Sequence, residues 1–423
     1  MKILVVGGGG REHALAWKLA DDTSGPEIFC APGNAGTAEV AENLDIAMDD
    51  IPALAEWARE NRPDITVVGP EAPLCAGITD VFKDEGLRVF GPSKAAAQLE
   101  GSKIFAKEVM ESAGVPTAQA GVFTDSGQAL YYLRSCAFPV VVKADGLAAG
   151  KGVYVCSDAA DAENAVRDIM TNRLYGEAGT KILVEECLMG EEASILALVD
   201  GENVVMLASS QDHKRACNND EGPNTGGMGA YSPAPVVSDD LWPVIREDVF
   251  GRTLSELKKR RIEYRGVLYA GLMITDKGPM ALEFNCRFGD PETQAVLPRL
   301  KGSILPALNA CIDGTLSEEM ISWRSDAAVC TVMASGGYPG KYEKGKVISG
   351  LNEVKAMEDV IVFHAGTAVK DGETVTSGGR VLGVTGLGKD LLSAIKRSYQ
   401  AIPMLKFDQA QYRTDIGSKG LAR

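Results

Sequence analysis

The sequence predicts an α/β protein in several parts: an N-terminal domain built on a parallel sheet, a central α/β region in two parts, and a smaller β-rich C-terminal domain. Three observations predict it. Residues 1–101 alternate short apolar runs with helical patterns, the rhythm of strand–helix–strand units. Residues 138–188 read as a compact unit of strand, glycine loop, strand, helix and strand. The last hundred residues carry β-rich runs at 329–333, 360–364 and 381–384. A chain of 423 residues also exceeds what one hydrophobic core usually serves.

In the N-terminal part the expected strands are 3–6, 28–30, 65–68 and 89–90, each closed by a Gly or Pro turn. In open α/β sheets such carboxyl-end turns are where ligands sit, which makes this a binding domain with Gly9, Gly10, Arg11, Asn34 and Glu71 as candidates. The cluster Gly7-Gly8-Gly9-Gly10 leaves three readings open. A dinucleotide loop needs a third glycine where Glu12 or His13 stands, so that fingerprint fails. A simple tight turn is the second reading. The third is a site for a single phosphate at a helix N-terminus, with Arg11 adding charge.

Composition narrows the function classes. A net charge of −15 and a pI near 4.9 argue against a nucleic-acid or anionic-membrane partner. Nine scattered cysteines with no CxxC pair indicate neither a zinc knuckle nor a disulfide framework, and suit a reduced, cytoplasmic chain. The apolar run after Lys2 is too short for a signal peptide or a membrane span, and no other segment approaches that length.

The chemistry concentrates in the central region. A strand at 139–143 delivers Lys143, and a loop of small residues, 146–152, follows with Lys151 embedded in it. Backbone N–H groups and ammonium charge there suit a polyphosphate, although the order is not that of a Walker loop. The plainer alternative is a glycine-rich hairpin with a surface lysine. A strand at 182–186 then runs into an acidic connection. Main-chain groups of Glu186 to Leu188 suit adenine and Glu192 suits ribose hydroxyls, or the segment is a solvated acidic turn.

A second acidic strand is more telling. Residues two apart on a strand share a face, so Glu283, Asn285 and Arg287 form a polar row, while Leu282, Phe284 and Cys286 face a core. Oxygens from Glu283 and Asn285 suit Mg²⁺ or Mn²⁺ on ATP phosphates, with Arg287 beside a transferred phosphoryl group. The alternative is a half-exposed edge strand with one ion pair. Between the two acidic strands, 211–215 (QDHKR) and the loop carrying Asn224, Thr225 and Gly226 suit an anionic substrate. With three histidines in the chain and no positioned Ser or Cys partner, His213 is not expected to serve a nucleophilic triad.

These elements, in this order, resemble the ATP-grasp superfamily and within it the glycinamide ribonucleotide synthetase family. The stretches that carry the resemblance include GGREHALAWKLA at 9–20, APGNAGTA at 31–38, KADGLAAGKGV at 143–153, GPNTGGMGAYSPAP at 222–235 and RFGDPETQ at 287–294. The resemblance implies a substrate-binding domain at 1–101, an ATP-grasp domain at 102–324 with a mobile subdomain at about 122–189, and a C-terminal domain at 325–423. It implies ATP contacts from Lys103, Lys143, Gly146, Gly150, Lys151, Gly152, Glu185, Glu186, Leu188 and Glu192, and metal ligands Glu283 and Asn285. Arg287, Lys143, Asp212 and Lys214 are the implied catalytic residues. Gly9, Gly10, Arg11, Asn34, Glu71, Asn224, Thr225, Gly226 and Asp290 are the implied substrate contacts. One departure is that Tyr269, Ala270 and Gly271 stand where many relatives place an earlier acidic metal ligand. The implied reaction joins glycine to 5-phosphoribosylamine with ATP, through glycyl phosphate, in purine biosynthesis, where other enzymes of that pathway are conceivable partners.

Overall fold

The computed structural model describes residues 1–147 and 152–422. Gly150 and Lys151, and with them the middle of the expected phosphate loop, lie outside the described residues. The N-terminal sheet is parallel, in the order Glu42–Asn43, Glu27–Pro32, Lys2–Gly7, Ile65–Val68, Val89–Phe90. The central strand is apolar from Ile3 to Val6 because both of its faces are covered there. Ile3 and Val5 enter one core, while Leu4 and Val6 enter another.

The central region has two lobes. The small lobe is an antiparallel sheet ordered Ala120–Phe123, Ile182–Glu186, Val140–Ala144, Val153–Cys156. The helices Ser126–Leu133 and Ala159–Val166 pack on it, the second capped by the Asp158 carboxylate and continued by a wider turn, Arg167–Thr171. Among the described residues its hydrophobic core draws only on 123–184.

The large lobe is an antiparallel sheet ordered Val204–Met206, Glu191–Asp200, Arg265–Thr275, Gly278–Asn285. Its two long strands fall in a stretch whose sequence reads as mixed, and the packing explains why. Ala193, Ile195, Ala197 and Val199 enter one core and Leu196 and Leu198 the other, so no polar face marks the period. Those two cores also contain the N-terminal sheet, so the N-terminal domain and large lobe are packed as one mass while the small lobe keeps its own.

One expectation needs correction. Leu282 is not in the core with Phe284 and Cys286 but half-exposed. The strand pairing shifts here, Gly271 facing Glu283 while Leu272 faces Ala281, so Leu282 is the extra residue of a bulge.

The C-terminal sheet is ordered Gln211–Asp212, Gly229–Ser232, Ala327–Ala334, Arg380–Gly388, Val360–His364. Its first two strands come from the central region, so loop 213–228 springs from the C-terminal sheet and reaches back toward the lobes. Among the described residues no helix is long and apolar enough to cross a membrane.

Candidate active site

Where the lobes meet, the side chains are lysines on carboxylates. Ser102 caps the helix Lys103–Ala113 by accepting from Phe105 N, and its hydroxyl donates to Asp145 at the start of the glycine loop (2.9 Å). Lys103 then donates to Gly146 O (3.0 Å). Lys143, at the end of its strand, reaches Glu185 (2.6 Å) and Leu282 O (3.1 Å), and Lys107 reaches the same Glu185 (3.0 Å). Burial alone would raise the Glu185 pKa, but Lys143 and Lys107 outweigh it and hold the carboxyl below its ordinary value. Lys214 spans Glu192 (2.9 Å) and Glu283 (3.5 Å), which joins loop 213–228 to two strands of the large lobe, Glu191–Asp200 and Gly278–Asn285.

Glu283 and Asn285 stand on one strand face, with Arg287 just beyond donating to Asn285 Oδ1 at 3.5 Å. Against the effect of burial, Lys214, Lys143, Lys103 and Arg287 pull the Glu283 pKa down to about 2, so its oxygens are anionic. Gly271 faces it across the sheet, and a Cβ there would lie 3.2 Å from Glu283 Cγ. Neighbouring Tyr269 donates to Glu292 (2.9 Å). Asp212 is buried, which pushes its pKa up, with Lys214 opposing and Glu292 assisting.

The N-terminal side is built from arginines. Arg287 pairs with Glu100 (2.9 Å) and Glu71 (3.2 Å), and Arg11 with Glu12 (2.5 Å), Glu71 (3.8 Å) and Phe288 O (3.2 Å). Arg287 and Arg11 overcome burial and hold the Glu71 pKa at about 2. The glycine cluster wraps the Glu12 carboxylate, which accepts from Gly9 N (2.6 Å). Gly7 has φ +123° and no space beside Glu12 for a Cβ, so close packing requires glycine there. Asn34 Nδ2 bridges Gly8 O (2.9 Å) and His364 O (2.8 Å). Asp290 accepts from Gln294 (2.7 Å) and Arg380 (2.8 Å), and it lies beside Gly9.

Loop 213–228 closes the arrangement. Thr225 donates to Lys214 O (2.9 Å), Asn224 reaches Val153 O of the small lobe (3.4 Å), and Gly226 N donates to the Tyr338 hydroxyl (3.1 Å). Arg380 also holds Gly226 O and Asp290 O.

Lys103, Lys143, Gly146, Glu185, Glu192, Lys214 and Glu283 thus belong to one contact network. Gly9, Arg11, Asn34, Glu71 and Asp290 lie in a second, with Gly10 against Gln294, and Asn285 with Arg287 joins the two. Gly152 accounts for one hydrogen bond, its carbonyl accepting from Ala144 N (2.8 Å). Glu186 turns outward to Gln119 N (2.9 Å), and Leu188 is partly buried. Among the described residues no cluster of three or more His, Cys, Asp or Glu is arranged to hold a metal ion.

Four contacts escaped the sequence: Glu100, Lys107, Tyr338 and Arg380. Lys107 had a legible signal, since it sits four residues after Lys103 and shares its helix face. The others meet the site only through long-range packing.

The chain matches the family models of phosphoribosylglycinamide synthetase over residues 1–100 (N domain), 101–293 (ATP-grasp domain) and 328–419 (C domain). It is 51% identical to a phosphoribosylamine–glycine ligase of Allochromatium vinosum over 100% of this chain and 99% of that one. It is 50% identical to the trifunctional purine biosynthetic protein adenosine-3 of Gallus gallus, over 100% of this chain and 42% of that one. A solved phosphoribosylamine–glycine ligase of Thermotoga maritima superposes with a TM-score of 0.86 at 35% identity, covering 98% and 100% of the two chains. A biotin carboxylase of Campylobacter jejuni shares the fold at 15% identity, with a TM-score of 0.75 over 100% and 94%.

Proposed function

The chain belongs to the phosphoribosylglycinamide synthetase family, and on that premise we propose that it ligates glycine to 5-phosphoribosylamine with ATP, giving glycinamide ribonucleotide, ADP and phosphate. The observation that carries this reading is the row Glu283, Asn285, Arg287. It runs from the lysine network between the lobes to the arginine network of the N-terminal domain, so a phosphoryl donor on one side and an acceptor on the other would meet along it.

In this reading the nucleotide lies between the lobes, with Lys103, Lys143 and Lys214 around its phosphates and the 185–192 connection around adenosine. Glycine and phosphoribosylamine take the N-terminal side, near Gly9, Gly10, Arg11, Asn34, Glu71, Asp290 and loop 224–226. A glycine carboxylate oxygen attacks the γ-phosphorus as its bond to ADP breaks. The amine of phosphoribosylamine then attacks the acyl carbon, loses a proton, and phosphate departs with that carboxylate oxygen. Arg287 and the lysines stabilise the charge that builds on the transferred group, and no side-chain nucleophile is needed. Lys214, held by Glu192 and Glu283, would stand at the transferring group, and Asp212 beside it is pushed by burial toward its protonated form.

Glu283 and Asn285 fit a hard divalent cation, Mg²⁺ or Mn²⁺, because both offer oxygen and Glu283 is held anionic. Such an ion, when bound, would supply Lewis-acid charge to the phosphates. In this reading the domains divide at 101/102 and 324/325, and the small lobe would be the moving part. The work belongs to the cytoplasm.

The test is isotopic. Glycine labelled with ¹⁸O in its carboxylate should give phosphate carrying one labelled oxygen for each glycinamide ribonucleotide formed. Unlabelled phosphate at full yield would end the glycyl-phosphate route, and no glycine-dependent ADP release would end the ligase reading.

A further inference from the structure

Glu185 carries a feature that phosphate binding leaves unexplained. Its carboxylate is buried, yet two lysines meet it, Lys143 at 2.6 Å and Lys107 at 3.0 Å. One counter-ion is enough for one carboxylate. In the proposed function Lys143 is drawn to the nucleotide's phosphates, and that movement would strand Glu185. A carboxylate so deep, left with no cation, takes up a proton or holds its lysine back.

Lys107 is placed to prevent this. Its ammonium donates to Thr117 Oγ1 (2.8 Å) and Ala118 O (2.9 Å) as well as meeting Glu185, so three partners engage its three hydrogens. Thr117 in turn donates to Ala281 O (2.7 Å), two residues before Glu283. Lys107 is therefore fixed between the long helix, the 117–118 connection and the strand Ile182–Glu186, and it is buried. The other charged neighbours of Lys107 are Lys143 and Glu111, and Glu185 faces no second carboxylate among its main influences.

We infer that Lys107 is a positioning residue for nucleotide binding, the permanent counter-ion of Glu185 that frees Lys143 for the phosphates. Lys107 makes no contact with the nucleotide in this arrangement and acts through the carboxylate. The inference rests on the ligase reading for the destination of Lys143.

Calorimetric titration with the Mg²⁺ complex of the β,γ-imido analogue of ATP, without glycine, tests it in the full chain. Lys107→Met should bind roughly 10- to 100-fold more weakly than wild type, the scale of one charge-assisted contact withheld. Repeating the titration in two buffers of different ionisation enthalpy should show about one more proton taken up per nucleotide than in wild type, a readout that mere loosening of the fold would not move. Glu185→Gln removes the charge that needs a partner, so Lys107→Met/Glu185→Gln should bind within about twofold of Glu185→Gln alone. This comparison also decides the matter where Lys107→Met by itself is unstable. Wild-type affinity and proton uptake in Lys107→Met, or a double variant about tenfold weaker than Glu185→Gln, would overturn the inference while leaving the ligase reading intact. Wild-type protein that fails to bind the analogue would overturn both.

Discussion

The two sides of the site are charged by different chemistry. Between the lobes Lys107 and Lys143 meet the Glu185 carboxylate, Lys214 meets Glu192 and Glu283, and Lys103 holds the carbonyl of Gly146. On the N-terminal side three arginines, 11, 287 and 380, meet Glu12, Glu71, Glu100 and Asp290 and also take backbone carbonyls. A lysine is a point charge on a flexible stem and can change partners; a guanidinium forks between partners and fixes them. Apart from the fixed Lys107, the lysine side is thus built for exchange, as the proposed binding and release of a nucleotide there would require. The arginine side is a frame that sets Glu71, Asp290 and loop 224–227 in place beforehand.

The comparison breaks most severely at Arg287. Arg287→Lys keeps the charge but cannot fork between Glu71 and Glu100, so a buried carboxylate loses its partner at a cost of roughly 3–5 kcal/mol. Turnover should also fall by at least about 100-fold, as for a lost donor to developing charge. Denaturant midpoints and steady-state rates measure both, and a wild-type result in each would show the arginine to be replaceable.

Lys143→Met is the matching change on the other side, with the opposite pattern. Nucleotide affinity should drop by about 1.5–3 kcal/mol, while unfolding barely shifts because Lys107 still neutralises Glu185. A large loss of stability with unchanged affinity would make Lys143 part of the frame instead.

Arg380→Ala probes the frame at its edge. It releases Gly226 O and Asp290 together, so KM for phosphoribosylamine should rise about tenfold, one charge-assisted contact's worth, and KM for ATP should stay unchanged. Equal rises in both constants would dissolve the distinction between the sides.

The smallest effect is in acid. Glu71 and Glu283, held at about 2, stay charged down to pH 4, so their own ion pairs should not fail there first. The histidines at the junction of the N- and C-terminal domains should. His13 accepts from His364 N at Nδ1 (2.8 Å), and burial lowers the His13 pKa to about 3 and the His364 pKa to about 4. Unfolded histidine titrates near 6.5, so between there and 4 the unfolded chain binds more protons and stability falls as pH falls. Melting temperatures across that window should decline, and His13→Gln should flatten the decline. An unchanged slope would place the acid sensitivity elsewhere.

Much of this was legible in the residues. The strands at 65–68, 153–156 and 182–186 could be read to the residue because turn residues bound them. The polar row at 283–287 followed from the two-residue period. The bulge at Leu282 did not, because it depends on which strand pairs beside it. Glu191–Asp200 and Arg265–Thr275 were obscured because cores on both sides erase the alternation. Lys107 and Arg380 were missed since their partners lie 78 and 90 residues away, at Glu185 and Asp290.

The C-terminal sheet has a consequence for the chain as it leaves the ribosome. Strands Gln211–Asp212 and Gly229–Ser232 emerge long before Ala327–Ala334, the strand that Gly229–Ser232 pairs with, and before Arg380, which fastens the loop between them. The nucleotide lobes can therefore be assembled while Asn224, Thr225 and Gly226 still lack their seat. A nascent chain would thus complete the lobes first and fasten loop 213–228 last, once Arg380 has emerged to hold Gly226 O.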